Sequence, residues 1–269
     1  MELMANTLKN TPFIEGLHWK NEKTLFHIFS RSSWKKVSTK YVSDPFFFIH
    51  FSNAFEKEDH IIVDVNTYKD ASLLTNSYIT KLREATSNSS ASFHEGFCPI
   101  LKRFIIPLKV ESMKENEELV QLQNTECSAK KTGNEIHLIP EVLSNLPFEN
   151  PASNAKYSVH GNRFVWGMGP SPYRENYNQI IKIDLETKET VLFKEEGSHT
   201  SPPIFVPSSN AEKEDDGVIL SLLLTSEKEN LVTLLILDAA NAYRNRKSYC
   251  SNSHCFFNAS SRKFLFLFK

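Results

Sequence analysis

Cys250-Ser251-Asn252-Ser253-His254-Cys255 places two thiols and an imidazole within six residues. These are zinc-ligand types, but a structural zinc site also needs a second pair at comparable spacing. None follows, and Cys98 and Cys127 are distant in sequence, so the cluster reads as incidental. Gly161 to Gly169 lacks phosphate-cradling spacing, and no Ser, His and Asp set stands out as a nucleophile with its base. Lys114–Glu118 and Glu212–Asp216 read as solvated turns. Histidine chemistry is what is left. His50 lies in the apolar run Pro45–Phe51, where a neutral imidazole could bind a metal through one nitrogen and hydrogen-bond through the other. By residue type and position alone, it reads as a core histidine with a satisfied hydrogen bond.

The elements that would position such a group are strands. Thr24–Ser30, Pro45–Phe51, His60–Val65 and Arg103–Val110 are short runs rich in Phe, Ile and Val, the composition of strands. Phe164–Gly167, Gln179–Leu185, Thr190–Phe193, Val218–Thr225 and Leu231–Leu237 continue the series. Ile180 to Phe193 reads as strand, polar turn, strand, and Val218 to Leu237 as a second hairpin. Ala71–Arg83 allows an apolar stripe and is the one helix expected. Glu84–Ser92 reads as a loop. Many short strands point to an all-β sandwich, barrel or propeller.

Composition sets the limits. The chain has 269 residues, with 31 Lys and Arg against 32 Asp and Glu, so it lacks the basic footprint of a nucleic-acid binder. Usual glycine content would give about 19; there are 8, against 20 Phe. No apolar stretch reaches the ~18 residues that span a bilayer, and the start shows no secretory pattern. The expectation is an intracellular protein, cytoplasmic or mitochondrial, without a transmembrane segment. Beyond Asn241 the chain turns basic and ends in Phe264-Leu265-Phe266-Leu267-Phe268. Such a tail suits peripheral contact with an anionic membrane and equally reads as a disordered, aggregation-prone end.

Ser43-Asp44-Pro45-Phe46-Phe47-Phe48-Ile49-His50-Phe51-Ser52-Asn53-Ala54-Phe55-Glu56 resembles the segment around one iron ligand in the carotenoid oxygenase family. Ile61–Val65, Lys81-Leu82-Arg83, Arg103–Leu108, Phe148-Glu149-Asn150-Pro151 and Pro203–Ala239 resemble later family segments, in the family's order. The similarity runs from about Gly16 to Ala240 and is closest to the animal branch of carotene-cleaving dioxygenases and retinoid isomerohydrolase. It implies a seven-bladed β-propeller with Fe(II) on its axis, held by four histidines. It further implies oxidative cleavage of a carotenoid or retinoid double bond by molecular oxygen. His50 matches the third family histidine, and Glu149 the glutamate that supports it.

The sequence departs from the family elsewhere. No segment resembles the motifs of the first two histidines, and His18 and His27 occupy ordinary strand positions. The fourth histidine should follow Leu235–Ala239, but the chain diverges after about Ala240, and His254 has an unrelated setting. The glutamate partner of that fourth histidine is replaced in Ser201-Pro202-Pro203. The expected fold is therefore all-β: roughly the C-terminal half of the propeller, without its closing segment. A partial propeller would occupy residues 1–240 and a divergent, disordered tail 241–269, with the whole an incomplete version of a longer protein. With one ligand of four, this chain alone is expected to be inactive as an oxygenase. The alternative is a non-catalytic partial propeller that binds an apolar ligand or partner.

Overall fold

The computed structural model describes residues 12–81, 83, 98–110, 114–170, 177–225, 232–242, 244–251 and 254–256. Contacts divide the chain into two compact units, the first reaching Glu149 and including Ser158–Gly161, the second holding most of the remainder.

In the first unit the strands are β1 (Thr24–Phe26), β2 (Lys40–Ser43), β3 (Phe47–Lys57), β4 (His60–Tyr68), β5 (Ile100–Pro107), β6 (Ser128–Thr132), β7 (Glu135–Ile139) and β8 (Glu141–Val142). They form two four-stranded sheets, ordered β1-β2-β7-β6 and β3-β4-β5-β8. All pairs are antiparallel except β2 with β7, which is parallel. One apolar core joins residues of both sheets, including Tyr41, Val63, Val65, Phe104, Ile106, Ala129, Ile136 and Leu138. Phe104 is 1% exposed and is met by Phe26 at 5.1 Å and Phe46 at 5.2 Å. Burying one such ring contributes about 1.5–3 kcal/mol; among the described residues Phe104 and Phe148 are fully buried.

In the second unit β9 (Glu149–Ser153, its first residue belonging to the first unit), β10 (Phe164–Pro170), β11 (Tyr177–Asp184) and β12 (Thr190–Lys194) form a meander. The next sheet contains β13 (Ser198–Thr200), β14 (Ile204–Pro207), β15 (Gly217–Thr225), β16 (Val232–Asp238), β17 (Arg244–Ser251) and β18 (His254–Phe256). Trp166, 1% exposed, stacks on Phe205 at 4.8 Å and donates to the Ala239 carbonyl at 3.1 Å.

Both expected hairpins form, as β11–β12 and β15–β16. The helix expected over Ala71–Arg83 is interrupted: α1 (Ser72–Asn76) has no buried residue, a turn follows at Ser77 and Tyr78, and residues 79–81 and 83 are helical again. Strands occur at β2, β6, β7, β13 and β14, where the side chains are too polar or the runs too short to announce them. The turn of β6–β7 rests on Gly133 at φ +62. β17 pairs with β16 from Leu237↔Arg244 to Val232↔Cys250, which covers an edge of backbone donors and acceptors on β16. The loop expected over 84–92 and the end beyond residue 256 lie outside the described residues. No helix among them is long and apolar enough to cross a membrane.

Candidate functional site

β3 and β4 are joined by a two-residue turn, with Glu58 at φ 49 and Asp59 at φ 61. Positive φ at both central residues matches the twist of a hairpin. Away from the turn the pairing is regular until Asn53↔Asp64, and there it breaks twice. Ser52 is an extra residue between Phe51↔Val65 and Asn53↔Asp64, while Ile49 and His50 together oppose Asn66 alone. Such bulges bend a strand and re-aim its side chains. Strict alternation along β3 would not bring Ser52 and Asn53 inward together, yet both are buried.

Both are also satisfied. Ser52 donates its hydroxyl to Asn66 Oδ1 at 2.6 Å, and Asn53 hydrogen-bonds Asp64. Asn66, 0% exposed, spends its amide on the Phe148 carbonyl at 2.5 Å. Phe148 is in turn held through its own N–H, which donates to the Pro99 carbonyl at 3.0 Å. The segment that delivers Glu149 is thereby fixed on both sides.

Glu149, 3% exposed, meets His50 across 99 residues of sequence, with Oε2 at 3.0 Å from Nδ1. Its other oxygen, Oε1, accepts the Tyr68 hydroxyl at 2.7 Å. The two residues singled out in the sequence are brought together. With Nδ1–H donating to the carboxylate, the lone pair of Nε2 is on the opposite side of the ring, the arrangement found in metal-bound histidines whose other nitrogen is held by a carboxylate. The imidazole is not sealed in: 42% of the His50 side chain is exposed. Phe48, Ile49 and Phe51 beside it are exposed as well, with Phe48 and Phe51 in edge contact at 5.0 Å.

Tyr68 and Asn66 escape a reading of the sequence. By apolar content the strand His60–Val65 ends where polar residues begin, whereas β4 runs on through Asn66, Thr67 and Tyr68, all buried. Polar residues inside a buried strand were the available signal. Of the remaining candidates, His18 and His27 are exposed, and the side chains of Cys250, His254 and Cys255 lie outside the described ones. Burial pushes the Cys127 thiol up to about 11, so it is no nucleophile near neutral pH. Among the described residues no group of three or more His, Cys, Asp or Glu is placed to hold an ion.

The profile of the retinal pigment epithelial membrane protein (RPE65) family matches residues 1–244. The chain is 33% identical over 243 residues to beta,beta-carotene 15,15'-dioxygenase of Gallus gallus, covering 85% of this chain and 44% of that protein. It is 31% identical over 259 residues to carotenoid isomerooxygenase of Galleria mellonella, covering 94% of this chain and 46% of that protein. The chain thus spans less than half the length of these curated relatives. Among solved structures, an ACO/RPE65 chimera superposes with a TM-score of 0.62 at 18% identity, over 86% of this chain and 44% of that one. Cobalt-substituted Synechocystis ACO gives 0.60 at 19%, over 86% and 45%. These likenesses identify the fold as all-β and part of the propeller on which those enzymes are built.

Proposed function

The chain belongs to the retinal pigment epithelial membrane protein family, the carotenoid oxygenases, and from that premise we propose that His50 is one ligand of an Fe(II) site used to cleave a carotenoid or apocarotenoid double bond. The observation that carries the reading is the 3.0 Å contact between His50 and Glu149. The donor chemistry fits the metal: neutral imidazole suits Fe(II), and here its second nitrogen has a buried carboxylate as partner. Fe(II), when bound, supplies coordination positions at which molecular oxygen can be activated for oxidation of the polyene. The work of this chain's own residues is orientation. Glu149 holds the imidazole through Nδ1, so that Nε2 is the nitrogen offered to the metal. The exposed rings of Phe48 and Phe51 beside it give an apolar polyene a surface without donors or acceptors to desolvate.

A single histidine does not hold iron as four would, so the isolated chain is inactive on this reading, and the other ligands come from polypeptide beyond the described residues. A second reading has a specific observation behind it. The exposed Phe48, Ile49 and Phe51 would also serve a non-catalytic role, binding an apolar ligand or partner.

The test is iron content and product analysis with a carotenoid. The purified chain is assayed alone, and co-expressed with a polypeptide bearing the three other histidine motifs of a relative. Aldehyde product and bound iron are expected only on co-expression, and both are lost in His50→Ala. Co-expressed His50→Ala that keeps iron and product would remove the ligand assignment. Stoichiometric iron and product from the chain alone would overturn its inactivity.

A further inference from the structure

Residues 66 and 68 of β4 are two apart and share a face of the strand. Each makes one bond to the same short segment: Asn66 to the Phe148 carbonyl at 2.5 Å and Tyr68 to Glu149 Oε1 at 2.7 Å. We propose that Tyr68 is a positioning residue for the His50 site, and that together with Asn66 it clamps Glu149 so that only Oε2 faces His50 and the imidazole is fixed as the Nδ1–H tautomer. The meaning of that tautomer for iron rests on the function proposed above; the clamp itself does not.

Glu149 has three rotatable side-chain bonds, and a carboxylate free to turn would offer the histidine a changing acceptor. Tyr68 removes that freedom. It is 2% exposed, so water does not compete for its hydroxyl, and its ring is itself anchored. Phe47, its register partner on β3, lies 6.0 Å away, and Trp19 closes on Phe47 edge-on at 6.4 Å. The Asn66 half is equally defined. The Phe148 carbonyl can only accept, so it fixes the amide with its NH2 toward it, and Ser52 then donates to Oδ1 at 2.6 Å. In water the imidazole of histidine favours the Nε2–H tautomer. A carboxylate held against Nδ1 reverses that preference, and a carboxylate that wanders does so only in part.

The experiment is long-range nitrogen–proton NMR of His50 at a pH where the ring is neutral. It uses the full chain without metal, beside Tyr68→Phe and Glu149→Gln. The unsubstituted chain is expected to show the Nδ1–H tautomer, Glu149→Gln a shift to Nε2–H, and Tyr68→Phe a mixture of the two. A merely structural Tyr68 would leave the ring nitrogens unchanged. If Glu149→Gln shifts the tautomer and Tyr68→Phe does not, the clamp is overturned while the His50–Glu149 pair stands. If neither variant moves it, the pair and the clamp both fall. Should Tyr68→Phe not fold, the unsubstituted chain still decides. The Tyr68 hydroxyl proton is expected as a slowly exchanging resonance close to the Glu149 side chain, and its absence overturns the clamp.

Discussion

Asp64 and Glu149 are both buried carboxylates of the first unit, and their partners differ. Asp64, 0% exposed, stands in the middle of β4 directly opposite Arg103 on β5. The guanidinium grips it with two bonds, Nε at 2.7 Å and Nη2 at 2.9 Å, and Asn53 adds a third. Glu149, 3% exposed, meets a neutral hydroxyl and an imidazole that is nearly half in solvent. Both acids carry a burial cost of several kcal/mol when ionised. At Asp64 a fixed cation within the sheet offsets it, and the pair is directed inward. At Glu149 one oxygen takes the Tyr68 hydroxyl and the other faces the imidazole of His50, whose side chain is 42% exposed.

That contrast can be broken by substitution. Arg103→Leu leaves Asp64 buried without its cation and should cost about 3–5 kcal/mol, measured by denaturant unfolding. A loss below 1 kcal/mol would show that the pair is not the structural member of the two. Asn66→Ala strips the Phe148 carbonyl and the Ser52 hydroxyl of a buried partner, and should cost about 1–3 kcal/mol in the same measurement. It should also loosen His50, read as line broadening of its ring resonances, an effect Arg103→Leu should not produce selectively at that ring.

A surface carboxylate gives the reference between these extremes. Hydrogen bonds from Lys40 and Lys23 pull Glu135 down to about 2. Its folded value lies below the unfolded one, so its contribution is complete above about pH 4.5 and is lost as pH falls toward 2. The unfolded chain binds the extra proton in that window. Glu135→Gln should therefore lower the unfolding midpoint slightly at pH 6 and approach the unsubstituted chain at pH 2–3. The effect should shrink in high salt, since exposed pairs are screened. His50→Ala leaves Glu149 Oε2 without its imidazole partner while Tyr68 still donates to Oε1, and should cost about 1–3 kcal/mol in denaturant unfolding; no measurable loss would show that the pair adds nothing to the fold.

Much of the strand order is legible because apolar β-branched and aromatic runs announce it: β4, β5, β10, β11, β15 and β16 all fall on such runs. The apolar stripe over 71–83 does mark helix, but not one continuous helix: α1 stops at Asn76, and residues 79–81 and 83 are helical again after a turn. β6 and β7 were hidden by Lys130, Lys131, Glu135 and His137, whose polar chains occupy the outer positions around buried Ala129, Ile136 and Leu138. At the site, His50 and Glu149 could be named only through the flanking motifs that resemble a family. Tyr68 and Asn66 carried no such flag.

By itself, then, the sequence determined the local matters: which segments extend, where hairpins turn, and that His50 and Glu149 stand in segments belonging to one family. Local patterns suffice there, because a strand's face repeats every second residue and a turn is set by a few backbone angles. The tertiary structure alone decided that these two side chains touch, which nitrogen does the touching, and that Tyr68 and Asn66 hold the acid in place. Those facts depend on register. Two bulges in β3 shift the pairing with β4, and a shift of one residue exchanges the faces of a strand. A contact between residues 99 apart therefore exists only once the whole sheet has closed.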